Sequence, residues 1–209
     1  MPTILLIRHA ENDLMKQGRM GGRMPGVHLN DEGRVHAQAT ADALAQRLND
    51  ITPKGVYSSP LERTVETAEL IAARFGLPVI PCEGLLETDA GQWSGKTVKS
   101  VSRLKLWKIV QQSPSTFQFP GGESFIQCQQ RIVAEIEALR SLHDPKDLVL
   151  CVSHADPIKL AIAYYLGISL DHFQRLVVGP ASVTVLQLGE KSVQLLGLNF
   201  DPGFMIPKG

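Results

Sequence analysis

Short, continuous apolar runs alternate along this chain with longer stretches in which apolar residues recur at helical spacing. Thr3 to Ile7 is too short for a helix and reads as a buried strand. Val56 with Tyr57, then "LPVI", "DLVLCVS", "SVTVLQL" and "SVQLLGL" read the same way. Between them, "GRVHAQATADALAQRL" follows an N-cap at Asn30 with acids at Asp31 and Glu32, and its spacing puts Val35, Ala39, Ala43 and Leu44 on one helical face. The segment "SSPLERTVETAELIAARFG" has Ser59 as N-cap, Pro60 at the first helical position, Glu62 after it and Gly76 as stop. A short helical pattern spans Val101 to Val110, and "ESFIQCQQRIVAEIEALRSL" sets Phe125, Ile132, Ile136 and Leu139 on an apolar side. "DPIKLAIAYYLG" takes Asp156 as cap, Pro157 at its first position and Gly167 as stop. The glycine-rich "ENDLMKQGRMGGRMPGVHLN" and "PCEGLLETDAGQWSGKTV" have no period and read as loops.

Strand and helix therefore alternate through most of the chain, the pattern of an α/β sandwich with a mainly parallel sheet. The closing pair of strands, separated by "GEK", places one strand antiparallel at or near an edge. With 209 residues and no linker or repeat, the chain reads as a single domain, 1–209, carrying an insert at about 95–121.

Composition changes this picture little. Lys+Arg 21 against Asp+Glu 21 supports no nucleic-acid partner. No apolar run approaches the length of a membrane span, and the N-terminus does not read as a signal peptide. Cys82, Cys128 and Cys151 lack paired spacing, which fits reduced thiols in a cytoplasmic protein better than a disulfide framework or a structural zinc site.

Ligands of such sheets bind beyond the carboxyl ends of the strands. Four segments put reactive side chains there: Arg8-His9, Ser58-Ser59 through Arg63, Glu87, and Ser153-His154. One histidine after a strand is ordinarily a hydrogen-bonded, half-buried side chain. Two at equivalent addresses, each with arginine nearby, point to chemistry on an anion.

Five blocks carry a resemblance: "LLIRHAEN", "YSSPLERTVETAELIAARFGLPV", "LLETDAGQWSGK", "FPGGESF" and "CVSHADPIKLAIAYYLGI". In order and over nearly the whole chain, they resemble the histidine phosphatase superfamily, with its phosphoglycerate-mutase-like fold, near a branch labelled as probable phosphomutases. The resemblance implies a three-layer α/β/α sandwich with a mainly parallel six-stranded sheet, one strand antiparallel. It implies His9 as the nucleophile, His154 as a donor to the phosphoryl oxygens, and Arg8 and Arg63 as phosphate ligands. Glu87 is implied as the acid that protonates the leaving oxygen and then activates water, with Asp89 as its rival. The start of the helix capped at Asp156 lies immediately after His154 and adds backbone donors for the phosphate, with Ala155 among the phosphate-binding residues.

The departures are specific. Ala10 stands where the family has glycine, raising the prospect of strain if its φ is positive. Met15 stands where many members have a phosphate-contacting asparagine, leaving Asn12, Arg19 or Arg23 to take its place. Thr88 replaces the arginine of the glycolytic mutases, and Lys105 and Lys108 are all the insert offers for their basic pair.

The expected activity is thus hydrolysis of a small phosphorylated metabolite through a phosphohistidine, without cofactor or metal, since no HxH or HExxH spacing occurs. A phosphomutase and a non-catalytic phosphate-binding module are the alternatives. Trp93, Trp107, Phe117 and Phe119 read as packing groups, and the tail "FDPGFMIP" leaves a homodimer open.

Overall fold

The computed structural model describes residues 2–48, 51–189 and 192–201. Six strands, β1 (Thr3–Arg8), β2 (Val56–Ser58), β3 (Val79–Pro81), β4 (Leu148–Ser153), β5 (Val183–Leu188) and β6 (Val193–Phe200), form one sheet in the order β3-β2-β4-β1-β5-β6. Neighbours β1, β4, β2 and β3 are parallel, and β5 runs against both β1 and β6. The reversed strand expected of the closing pair therefore lies one place in from the edge.

Helices cover both faces, which explains the unbroken apolar runs of β1 and β4. On one face Ile4 and Leu6 pack with Ile132 and Ile136 of α6 (Phe125–Leu142) and Ile158 and Ile162 of α7 (Ala155–Tyr165), as counted from α1 (Asp13–Lys16). On the other, Leu5 and Ile7 meet Ala41 and Leu44 of α2 (Asp31–Arg47) and Ala68 and Ile71 of α3 (Glu62–Ala73). This is the three-layer sandwich.

Four local expectations are corrected. In α2 only Leu44 of the expected face is buried; Val35 is 72% exposed, and Ala37, Thr40 and Ala41 turn inward. The cause is Gly33, where any Cβ would run into the Glu11 carbonyl, so that the helix seats there and carries Ala37, Ala41 and Leu44 round with it. The stretch Val101 to Val110 is two helices, α4 (Val98–Val101) and α5 (Lys105–Gln112). Both valines are buried in one aromatic cluster with Trp93, Phe117 and Phe119, yet nine residues at about 100° each would turn them to opposite sides of a straight helix. The first long loop contains α1, a single turn capped by the Asn12 side chain. Ser59 and Asp156 are not helix caps: Leu61 precedes α3 without a side-chain cap bond, and His154 holds the cap position of α7.

Among the described residues no helix is long and apolar enough to cross a membrane. Cys128 and Cys151 are buried, Cys82 is half-buried, and all are free thiols. The tail beyond residue 201 lies outside the described residues.

Candidate active site

Strand register assembles the site. Arg8 of β1 lies opposite Ser153 of β4, so His9 and His154 leave the sheet side by side, their ring centroids 5.1 Å apart. Ser58 of β2 lies opposite Val152, which brings Ser59 to the same edge; its Oγ sits 2.9 Å from His154 Nε2. The hydroxyl that looks like a helix cap in sequence is thus spent on a histidine.

A cavity of about 190 Å³ opens over these strand ends, and Arg8, His9, Asn12, Arg63, Glu87 and Ala155 all line it. Of the seven sequence-predicted residues, His154 alone is absent from the wall. It lies directly behind, fully buried, with Nδ1 3.4 Å from Arg63 Nη2 and 3.9 Å from Glu87 Oε2.

The hydrogen bonds set both tautomers. The Ala10 carbonyl, 2.7 Å from His9 Nδ1, can only accept, so Nδ1 carries the proton and Nε2 keeps its lone pair. Arg63 can only donate, so His154 Nδ1 accepts and its Nε2–H donates to Ser59. Burial, then the positive charges of Arg63 and neighbouring groups, hold both imidazoles well below the usual histidine range. Both are neutral at neutral pH.

The two arginines arrive from different elements with donors to spare. Arg63, buried on α3, donates from Nη2 to the Gly22 carbonyl at 2.7 Å. Arg8 donates from Nη1 to the Val178 carbonyl at 2.7 Å. Arg63 Nη1 and Arg8 Nε are buried without a hydrogen-bond partner among the described residues. Among the described residues no carboxylate lies within 4.0 Å of either guanidinium. Gly22 bends over Arg63 with φ +49, and a side chain there would strike Ser94 and Ala90.

Glu87 is half-buried and faces this positive pair. Burial first, then the nearby Asp156 carboxylate, raise its carboxyl to about 7, with Arg63 opposing. Asp89 turns aside to cap the Gly91 N–H. Asn12 lines the cavity, but its Oδ1 is engaged by the Met15 N–H; Met15 itself offers its sulfur to Arg8 Nη2 at 3.8 Å. Arg19 reaches the wall with Nη1 on the Gly95 carbonyl, whereas Arg23 does not line the cavity. Ala10 is unstrained: it is absent from the non-glycine residues of positive φ, and its N–H donates to Thr67 Oγ1 at 3.1 Å. Thr88 points its hydroxyl at Cys128 Sγ, and Lys105 and Lys108 stand on the outer surface.

Sequence reasoning did not foresee Ser59 as a histidine partner, nor Asp156 on the cavity wall. Among the described residues, no three His, Cys, Asp or Glu side chains converge as a metal-holding group.

Known proteins resemble this chain over most of its length. The chain is 31% identical over 204 residues to phosphoserine phosphatase 1 of Hydrogenobacter thermophilus, covering 95% of this chain and 92% of that one. It is 27% identical over 198 residues to the 2,3-bisphosphoglycerate-dependent phosphoglycerate mutase of Thermoplasma acidophilum, covering 94% and 92%. A solved mycobacterial glucosyl-3-phosphoglycerate phosphatase in complex with VO3 superposes with a TM-score of 0.85 at 27% identity, over 95% of this chain and 99% of that one. A family model matches residues 4–201, and with it the chain belongs to the histidine phosphatase superfamily, branch 1.

Proposed function

We propose that this chain hydrolyses a small phosphomonoester through a phosphohistidine at His9. The carrying observation is the pairing of an unprotonated His9 Nε2 with unpartnered donor atoms of Arg8 and Arg63 over one cavity. Two cations facing neutral histidines match a phosphate dianion in charge and in fork geometry. The named relatives support phosphorylated small acids as the first substrates to try, and a cavity of about 190 Å³ suits a metabolite rather than a macromolecule.

His9 Nε2 attacks phosphorus while the bond to the leaving oxygen breaks and that oxygen takes the Glu87 proton. Water then attacks the phosphohistidine, losing a proton to the Glu87 carboxylate, and the N–P bond breaks to release phosphate. Arg8, Arg63 and the Ala155 N–H stabilise the equatorial oxygens in both steps. His154 donates to them once the bound dianion favours a proton on Nδ1; the Ser59 hydroxyl, able to donate or accept, permits that change. No step calls for a metal or cofactor, and the three free thiols support a reducing, cytoplasmic setting.

Thr88, turned to Cys128 where the mutases carry arginine, favours water over a second phosphate acceptor. A metabolite panel assayed with EDTA present should release inorganic phosphate and give no phosphate-position isomer from a phosphoglycerate. Isomer formation without free phosphate would make the protein a mutase instead.

The pH dependence follows from the two groups. His9 must be neutral, and its lowered range keeps the acidic limb well below pH 6.5. Glu87 must be protonated, so kcat/KM falls tenfold per unit above a pH of about 7. In Glu87→Gln, kcat on an alkyl phosphate drops about 10²- to 10⁴-fold and the basic limb disappears. A limb that stays near 7 in that variant belongs to another group.

A further inference from the structure

The loop carrying Glu87 belongs to no strand or α-helix, yet four consecutive carbonyls in it accept from side chains. Arg131 Nη1 donates to Gly84 O at 2.8 Å and Leu86 O at 3.0 Å, and Ser153 Oγ donates to Leu85 O at 2.7 Å. Glu87 O accepts from Arg23 Nε at 2.9 Å, with Arg131 Nη2 at 3.4 Å. Glu123 links the two guanidiniums. It accepts from Arg131 Nε and Nη2, both at 3.0 Å, and from Arg23 Nη2 at 3.1 Å.

Two segments distant in sequence thus meet on one peptide unit, that between Glu87 and Thr88, and a third bridges them. Arg23 comes from the first loop and Arg131 from α6, bridged by Glu123 just before that helix, and none of them lines the cavity. While the carbonyl of this peptide is clamped, its N–H donates to Glu87's own Oε1 at 2.9 Å. Oε1 being occupied as an acceptor, the proton of the neutral acid resides on Oε2, the oxygen nearer His154. Rotating the peptide would release the carboxyl and redirect that proton.

We infer that Arg131 and Arg23, bridged by Glu123, are positioning residues that hold the Glu87–Thr88 peptide and thereby aim the Oε2 proton at the leaving oxygen. The inference rests on the reading of Glu87 as general acid. Loss of aim is distinguishable from general damage by the leaving group. An alkoxide needs its proton in the transition state, whereas p-nitrophenolate departs without one.

In Arg131→Met, kcat/KM for an alkyl phosphate should fall about 10²-fold while that for p-nitrophenyl phosphate changes less than about threefold. Arg131→Lys, which keeps the charge but not the fork, should resemble Arg131→Met. Arg23→Met removes fewer bonds from a side chain that is 31% exposed, and tests the clamp should Arg131→Met not fold. Its selective loss is smaller but of the same kind. The double variant Glu87→Gln/Arg131→Met should be no slower on the alkyl phosphate than Glu87→Gln alone. Selectivity in Glu87→Gln with equal losses on both substrates in the arginine variants overturns the positioning role by itself. Equal losses in Glu87→Gln overturn the acid reading, and this inference with it.

Discussion

Replacing His9 by alanine should lower kcat by about 10⁴-fold or more and abolish the acid-labile covalent intermediate, because neither His154 nor a nearby serine is free to take over. His154 is fully buried with both nitrogens engaged, by Arg63 and Ser59. Ser58, Ser59 and Ser153 are buried too, and Ser58 and Ser153 donate to the carbonyls of Ser59 and Leu85. In the wild-type enzyme, rapid acid-free denaturation during turnover of a phosphate-labelled substrate should trap label on the protein. That label should be lost in acid and kept in base, as expected of a phosphoramidate and not of a phosphoserine. His9→Ala should carry none, yet phosphate or vanadate should still raise its Tm, since Arg8 and Arg63 retain their free donors. Label that persists in His9→Ala, or that resists acid, would move the nucleophile elsewhere.

The strands, their order of burial and the residues at their ends were legible because they depend on local runs and on a topology that alternating elements dictate. What stayed hidden depends on contacts between segments far apart. Ser59 followed by Pro60 and Glu62 satisfies every local criterion for a helix start, but the pairing of β2 with β4 sends the hydroxyl to His154. Val35 is one of the two large apolar residues of its helix and is exposed, while Ala37 and Ala41 face the sheet because Gly33 allows close approach to Glu11. Small residues weigh little in a periodicity and much in a packed seam. Arg23, Glu123 and Arg131 carry no chemistry on their own; only the fold brings the two arginines to the Glu87 carbonyl and Glu123 between them. Their one sequence trace is an acid in "FPGGESF" followed eight residues on by Arg131.

Arg63 should show the site's electrostatic character as a conflict between stability and activity. Its side chain is 2% exposed, holds a full positive charge, and meets a backbone carbonyl, a neutral histidine and, among the described residues, no carboxylate within salt-bridge distance. Burying a cation on those terms costs several kcal/mol, which a bound dianion offsets and the empty site does not. Arg63→Met keeps much of the volume and removes the charge. The unliganded variant should therefore unfold at a temperature equal to or above the wild type's, while kcat/KM falls about 10³-fold or more. The two enzymes should also differ in their response to anions. Phosphate at a hundred times its Kd adds about 2.7 kcal/mol to the wild type, and the same concentration should add almost nothing to the variant. Differential scanning at several phosphate concentrations, at a pH near 6 where Glu87 remains protonated, measures both effects at once. A variant that is markedly less stable without phosphate would mean that Arg63 is held by favourable contacts of its own. The positive field over His9 would then be a by-product of the fold, and the two unpartnered arginine nitrogens would lose their meaning as a waiting phosphate site.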